Sequence, residues 1–200
     1  MKNATKLKST IAAIVFVSSM TLAYCQDTCR RHSIGTSFAL IRNFNTKEPP
    51  LYFELNYGYQ FTPKDVIVLE AITWTVYEPM GIPLFSSGES YPGKIRSYGL
   101  GVGYQHFFWK GLYSTIQATP FLQQYFDSDD EKIQNGFQAF LQLRIGYRIE
   151  LFKHRFFVEH AIAFNYWPIN TNVPSSFAEI ESGWPNYFLF EPSVHFGFKL

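Results

Sequence analysis

Two long stretches of this chain alternate strictly between apolar and polar residues. Leu51, Phe53, Leu55, Tyr57, Tyr59 and Phe61 fall on one face, and Tyr52, Glu54, Asn56, Gly58 and Gln60 on the other. The pattern returns at Phe137, Ala139, Leu141, Leu143, Ile145, Tyr147 and Ile149, set against Gln138, Gln142, Arg144, Arg148 and Glu150. A period of two sends successive side chains to opposite faces of an extended strand. Sustained over about eleven residues, it exceeds the common strand length and matches what a tilted strand needs to cross a bilayer.

Composition agrees with alternation. Aromatic residues make up 19% of the 200 residues, yet mean hydropathy is only −0.09. Strands that are half apolar and half polar average in this way. No apolar run reaches the roughly eighteen residues of a spanning helix.

Residues 1–25 read as a secretory signal. Lys2, Lys6 and Lys8 precede an apolar segment from Ile11 to Leu22, and Ala23 and Cys25 sit at −3 and −1 of a cleavage site that leaves Gln26 first. The competing reading acylates Cys25 as a lipoprotein, against which bulky Tyr24 stands. Cleavage removes three lysines and takes the formal charge from +1 to −2. No basic stripe remains, so nucleic acid is not an expected partner. Cys29 becomes the only cysteine of residues 26–200, too few for an intramolecular disulfide or a cysteine-rich metal site.

Eight strand-like segments are expected within a single domain, residues 26–200. They fall at about 31–43, 51–61, 66–78, 95–108, 112–126, 136–150, 156–167 and 186–200. In the third, Val66, Val68, Ile72, Trp74 and Val76 are read as an outer face interrupted by Glu70. In the fourth, Gly99, Gly101 and Gly103 share a face, implying close approach by a crowded interior. Connections 2–3, 4–5 and 6–7 read as short turns. Connections 1–2, 3–4, 5–6 and 7–8 read as longer loops, including an acidic one from Asp127 to Asn135 and the longest at 168–185. That sorting places both ends of the strand array beside the short turns, as in an outer-membrane barrel.

The chain resembles the small eight-stranded outer-membrane barrels, the OmpA/OmpX-like transmembrane domains, and within them the uncharacterised barrels of Bacteroidota. The resemblance covers about residues 31–200. It rests on the alternating strands and on the terminal Phe196-Gly197-Phe198-Lys199-Leu200, which is similar to the last-strand signal read by the barrel-assembly machinery, with Leu in place of the usual final Phe. It implies an all-β, eight-stranded antiparallel transmembrane barrel with short periplasmic turns, longer extracellular loops and a location in the cell outer membrane of a Gram-negative cell. Outer-membrane lipid and lipopolysaccharide, the assembly machinery and a surface ligand at the loops are the implied partners.

If the apolar faces point to lipid, the narrow interior holds the polar ones. Arg144 and Arg148 would then face Glu54, Glu159 and Glu191 in an ionic plug. The expected role is structural or interactive, with no cofactor and no catalysis. Two other readings compete. A soluble lipocalin-like lipid carrier would turn the apolar faces inward. A lipid A deacylase-like enzyme would need a His followed two residues later by Ser, but His160 is followed by Ile162, which cannot act as nucleophile. The acidic run Asp127, Asp129, Asp130, Glu131 departs from a calcium loop at Lys132, where the turn glycine belongs, and reads as a solvated tip. Trp167 and Trp184, at the two ends of the longest loop, read as interfacial anchors, with sugar or protein recognition as the alternative. His32, His106, His154 and His195 show no metal-ligand spacing.

Overall fold

A computed structural model describes residues 30–44, 49–83, 86 and 88–200. The leader expected at 1–25, with Cys25, and the residues Gln26 and Cys29 lie outside them. Residues 31–199 form one unit. It is all-β: β1 (His32–Ser37), β2 (Phe53–Gln60), β3 (Asp65–Val76), β4 (Gly93–Trp109), β5 (Leu112–Asp127), β6 (Lys132–Leu151), β7 (Phe156–Thr171) and β8 (Tyr187–Lys199). A 3-10 helix (Phe38–Phe44) follows β1, and a short helix α1 (Ser175–Glu181) lies between β7 and β8. Each strand pairs antiparallel with the next, and β1 pairs with β8 from Ser33↔Lys199 to Ser37↔His195, so the eight strands form a ring.

The ring is polar inside and apolar outside. Glu54, Glu70, Gln105, Gln117, Gln138, Arg144, Arg148 and Glu159 are all buried. Leu55, Leu69, Leu100, Ile116, Leu141 and Ile145 stand outward, Leu100 with 74% of its surface exposed. In β4, Gly101 lets the interior close up: a Cβ there would strike the Thr119 hydroxyl and lie 3.0 Å from Glu70 Oε2.

Four sequence expectations need correction. In β3, Val66, Val68 and Ile72 are buried inside and Ile67 and Leu69 face out, the reverse of the expected phase. Glu70 explains it. A carboxylate must share the polar interior, and the two-residue period carries its neighbours with it. Val68 then fits between Gly58 and Gly103, its partners on the adjoining strands. Next, β1 stops at Ser37 instead of near residue 43. The buried Ser37 Oγ accepts the Ala39 N–H at 3.1 Å and draws the backbone into a turn, as short hydroxyl side chains do.

The acidic connection between β5 and β6 is a tight turn, not a long loop. Asp127 Oδ1 accepts the N–H groups of Asp129 at 3.0 Å and Glu131 at 2.9 Å, and Asp130 adopts φ 66°. The long connections are therefore 1–2, 3–4 and 7–8, all at one end of the ring, with the 5–6 turn joining them at the tip of an extended hairpin. Finally, β7 continues to Thr171 and α1 occupies the middle of the expected 168–185 loop.

The early end of β1 leaves a seam. The last β1–β2 pair is Gly35↔Asn56, so β8 from Tyr187 to Val194 is bonded to β7 alone and the first residues of β2 to β3 alone. Side chains patch the β2 edge. Thr36 donates its hydroxyl to Glu54 O at 2.5 Å. Asn43 donates to Tyr52 O and accepts the Tyr52 N–H, both at 2.6 Å, imitating a strand bridge.

Candidate functional site: the ionic interior and the loop-end cleft

Alternation on β2, β6, β7 and β8 delivers the interior charges. Arg148 on β6 lies opposite Glu159 on β7 in the strand register, and its Nε donates to Glu159 Oε1 at 2.7 Å. Its Nη2 donates to Gln105 Oε1 at 3.0 Å, and Gln105 Nε2 donates back to Glu159 Oε1 at 3.1 Å. The guanidinium is held between Phe107 and Phe157, 4.8 and 4.3 Å from their ring centres. This closed triangle of charge-assisted bonds, flanked by two π faces, fixes Arg148 rigidly.

Arg144, on the same face of β6, does not contact a carboxylate by hydrogen bond. It donates to Gln117 Oε1 at 3.0 Å and lies 2.9 Å from His195 Nε2. The same His195 Nε2 is 3.2 Å from Glu54 Oε1. These contacts ask opposite things of one nitrogen, a lone pair toward Arg144 and an N–H toward Glu54. The shorter is the one to Arg144. Glu54 is further held by the hydroxyl of Tyr52 and the amide of Asn56. Glu191 stands apart from both arginines: it accepts from Asn165 Nδ2 at 2.6 Å, and Asn165 Oδ1 accepts from Gln142 at 2.9 Å.

Of the five residues expected from the sequence to form a plug, then, Arg148 and Glu159 are joined directly, Arg144 and Glu54 both lie against His195 Nε2, and Glu191 belongs to a separate amide chain. Gln105 and His195, on strand faces the sequence reads as polar, join the network, as does Glu70, which the sequence places on an outer face. A signal for them exists: each shares a strand face with a residue already assigned inward once the β3 phase is set by its carboxylate. Glu70 is bonded by the Thr119 hydroxyl at 2.9 Å. A cavity of about 40 Å³ remains beside Arg144, Arg148 and His195, room for a water or two.

Above the charges, the interior becomes aromatic. Trp74 lies 4.6 Å from Phe121, and Phe140 stacks on Trp167 at 6.1 Å with planes 5° apart. Trp167 is 3% exposed, so it fills the interior and is not an interfacial anchor. Higher still, α1 caps the long-loop end. Phe177 is fully buried between Tyr91 and Tyr125, at 5.0 and 5.3 Å. The Tyr91 hydroxyl donates to Glu181 Oε1. Burial pushes the Glu181 carboxyl above its usual range, and burial beside that carboxyl pushes the Tyr91 phenol up as well.

Between α1 and the ends of β7 and β8 opens a cleft of about 330 Å³, lined by Trp167, Asn170, Glu181, Ser182, Trp184 and Asn186. On the outer wall, His160 is exposed in β7, beside Ile162 on its own strand and opposite Val194 on β8. Near the short turns, Asp65 Oδ1 accepts from the Tyr104 hydroxyl at 2.5 Å and lies 2.7 Å from His106 Nδ1. Among the described residues no group of His, Cys, Asp or Glu could hold a metal, and no helix is long and apolar enough to cross a membrane. Comparison with protein families, with curated proteins and with solved structures finds no match to this chain.

Proposed function

We propose that this chain is a membrane-spanning β-barrel of the outer-membrane type, with a plugged interior and a loop-bearing end that faces outward to interact with surface ligands. One observation carries the reading: the distribution of polarity is inverted. Large apolar side chains line the outside of every strand, while carboxylates, guanidinium groups and amides are buried inside, alongside an aromatic layer. Water-facing walls of this composition would expose far more contiguous apolar surface than a soluble monomer tolerates. A lipid-facing wall requires it, and an eight-stranded interior is just wide enough for side chains to fill. A lipocalin-like carrier would need an apolar cavity where Arg144, Arg148 and Glu159 sit. The deacylase-like alternative lacks a nucleophile beside His160. The plug argues against a pore and for a role exercised at the loop end.

Leu100 tests this. It is at the middle of β4 and is the most exposed leucine of the outer wall. Refolding into lipid vesicles, followed by the difference in gel migration between boiled and unboiled protein, reports the closed form. Leu100→Arg at a bilayer midplane costs about 2–4 kcal/mol. At a water-facing surface it costs within about 0.5 kcal/mol. A clear drop in stability in vesicles supports the proposal. An unaffected variant, or a wild-type protein that shows no migration difference and is washed off membranes by carbonate, overturns it.

A further inference from the structure

We propose that the cleft between α1 and the ends of β7 and β8 is a saccharide-binding site that takes one or two sugar rings. Its volume, about 330 Å³, lies at the small end of the ~300–1,000 Å³ range of ligand pockets. Its lining combines what a pyranose needs. A sugar has an apolar face of C–H groups and a rim of hydroxyls that both donate and accept. Trp184, half-buried, supplies an aromatic ring for the first, while one face of Trp167 is already taken by Phe140. Asn170, Asn186, Ser182 and Glu181 offer amide, hydroxyl and carboxyl groups for the second.

The site is built, not incidental. Its floor is the end of β7, in register with β6 through Asn170↔Gln138. Asn170 lines the cleft while its Oδ1 is buried without a hydrogen-bond partner among the described residues. Its wall is α1, pinned by Phe177 and by the bond from Tyr91 to Glu181. Trp184 is packed by the connection before β4: a Cβ on Gly88 would come within 3.2 Å of its ring and strike Ile82. Positions fixed in this way suit weak, specific recognition with little ordering cost.

The inference rests on the membrane reading only for the side on which the cleft is displayed; binding itself does not require it. The test uses the full chain in a detergent without a sugar headgroup. Tryptophan fluorescence is titrated with hexose and N-acetylhexosamine mono- and disaccharides up to about 50 mM, well above the millimolar dissociation constants of weak complexes. The expected result is a saturable change with at least one sugar. Its dissociation constant should rise at least about tenfold in Trp184→Ala and in Asn170→Ala, with partial recovery in Trp184→Phe. Unchanged heat-dependent gel migration shows that each variant is folded; Asn170→Ala keeps the test alive should Trp184→Ala fail to fold. No saturable response to any sugar overturns the proposal. So does binding of unchanged strength in both variants, or uptake of a hydrophobic dye with no competition by sugar.

Discussion

Near the short turns the interior is ionic: Arg148, Glu159 and Gln105 close a hydrogen-bonded triangle, and His195 lies against both Arg144 and Glu54. Toward the long loops it is aromatic: Trp74, Phe121, Phe140 and Trp167 pack ring on ring. Both halves are filled by side chains, but they fail differently. An ionic layer depends on partnership, because a buried charge that loses its partner keeps its desolvation cost. An aromatic layer depends on volume, because truncating a ring removes contacts and leaves a hole. The ionic half should therefore be sensitive to which residue is changed, and the aromatic half to how many atoms are lost.

The sharpest break is Arg148→Met. It strands Glu159 inside the ring and should cost about 3–5 kcal/mol in urea unfolding. Adding Glu159→Leu should restore much of that loss, because removing both charges is often neutral or better. If the double variant is as unstable as the single one, the layer is not governed by pairing. In the aromatic half, Phe121→Leu removes a few atoms from a residue that is 1% exposed and should cost about 1–2 kcal/mol, with no second-site partner able to compensate by charge. The same urea series measures it.

The smallest effect concerns the cap, outside both layers. The Glu181 carboxyl holds its proton more tightly when folded than when unfolded, because burial raises its pKa. Packing of α1 is therefore fully supported below the ordinary glutamate value of 4.5 and weakens as pH rises through the raised one. Amide hydrogen exchange at Phe177–Ile180, corrected for intrinsic rate, should speed up across that interval. In Glu181→Gln it should not respond to pH there, and a response in that variant would place the titration elsewhere.

Strict alternation reveals the strands and their order, because only one face of each can be apolar. It fails in β3, where valines and isoleucine occupy both faces and hydrophobicity carries no phase information. There the mid-strand carboxylate of Glu70 is the usable signal: it looks like an interruption of an outer face, yet it marks the inside. The direct pair Arg148–Glu159 is visible in the sequence as two charges on inward faces. The contacts of His195 are not, because partners on distant strands are set by register and tilt, which one strand's pattern does not encode. Helix α1 is hidden for another reason. Seven residues give too little periodicity, and its stability comes from Phe177 entering a tyrosine cluster formed by Tyr91, just before β4, and Tyr125 of β5.

The shortness of β1 has a mechanical meaning. Its beginning and the end of β8 lie side by side, Ser33 opposite Lys199, and the two strands share a ladder of only five residue pairs. Tension between the two chain ends would load that ladder at its extremity, so its bonds would break in succession, as in a zipper. The seams from β3 to β8, with far longer registers, would be spared. The ring would open at β1, whose ladders to β8 and β2 hold five and four residue pairs, before any other strand was drawn out.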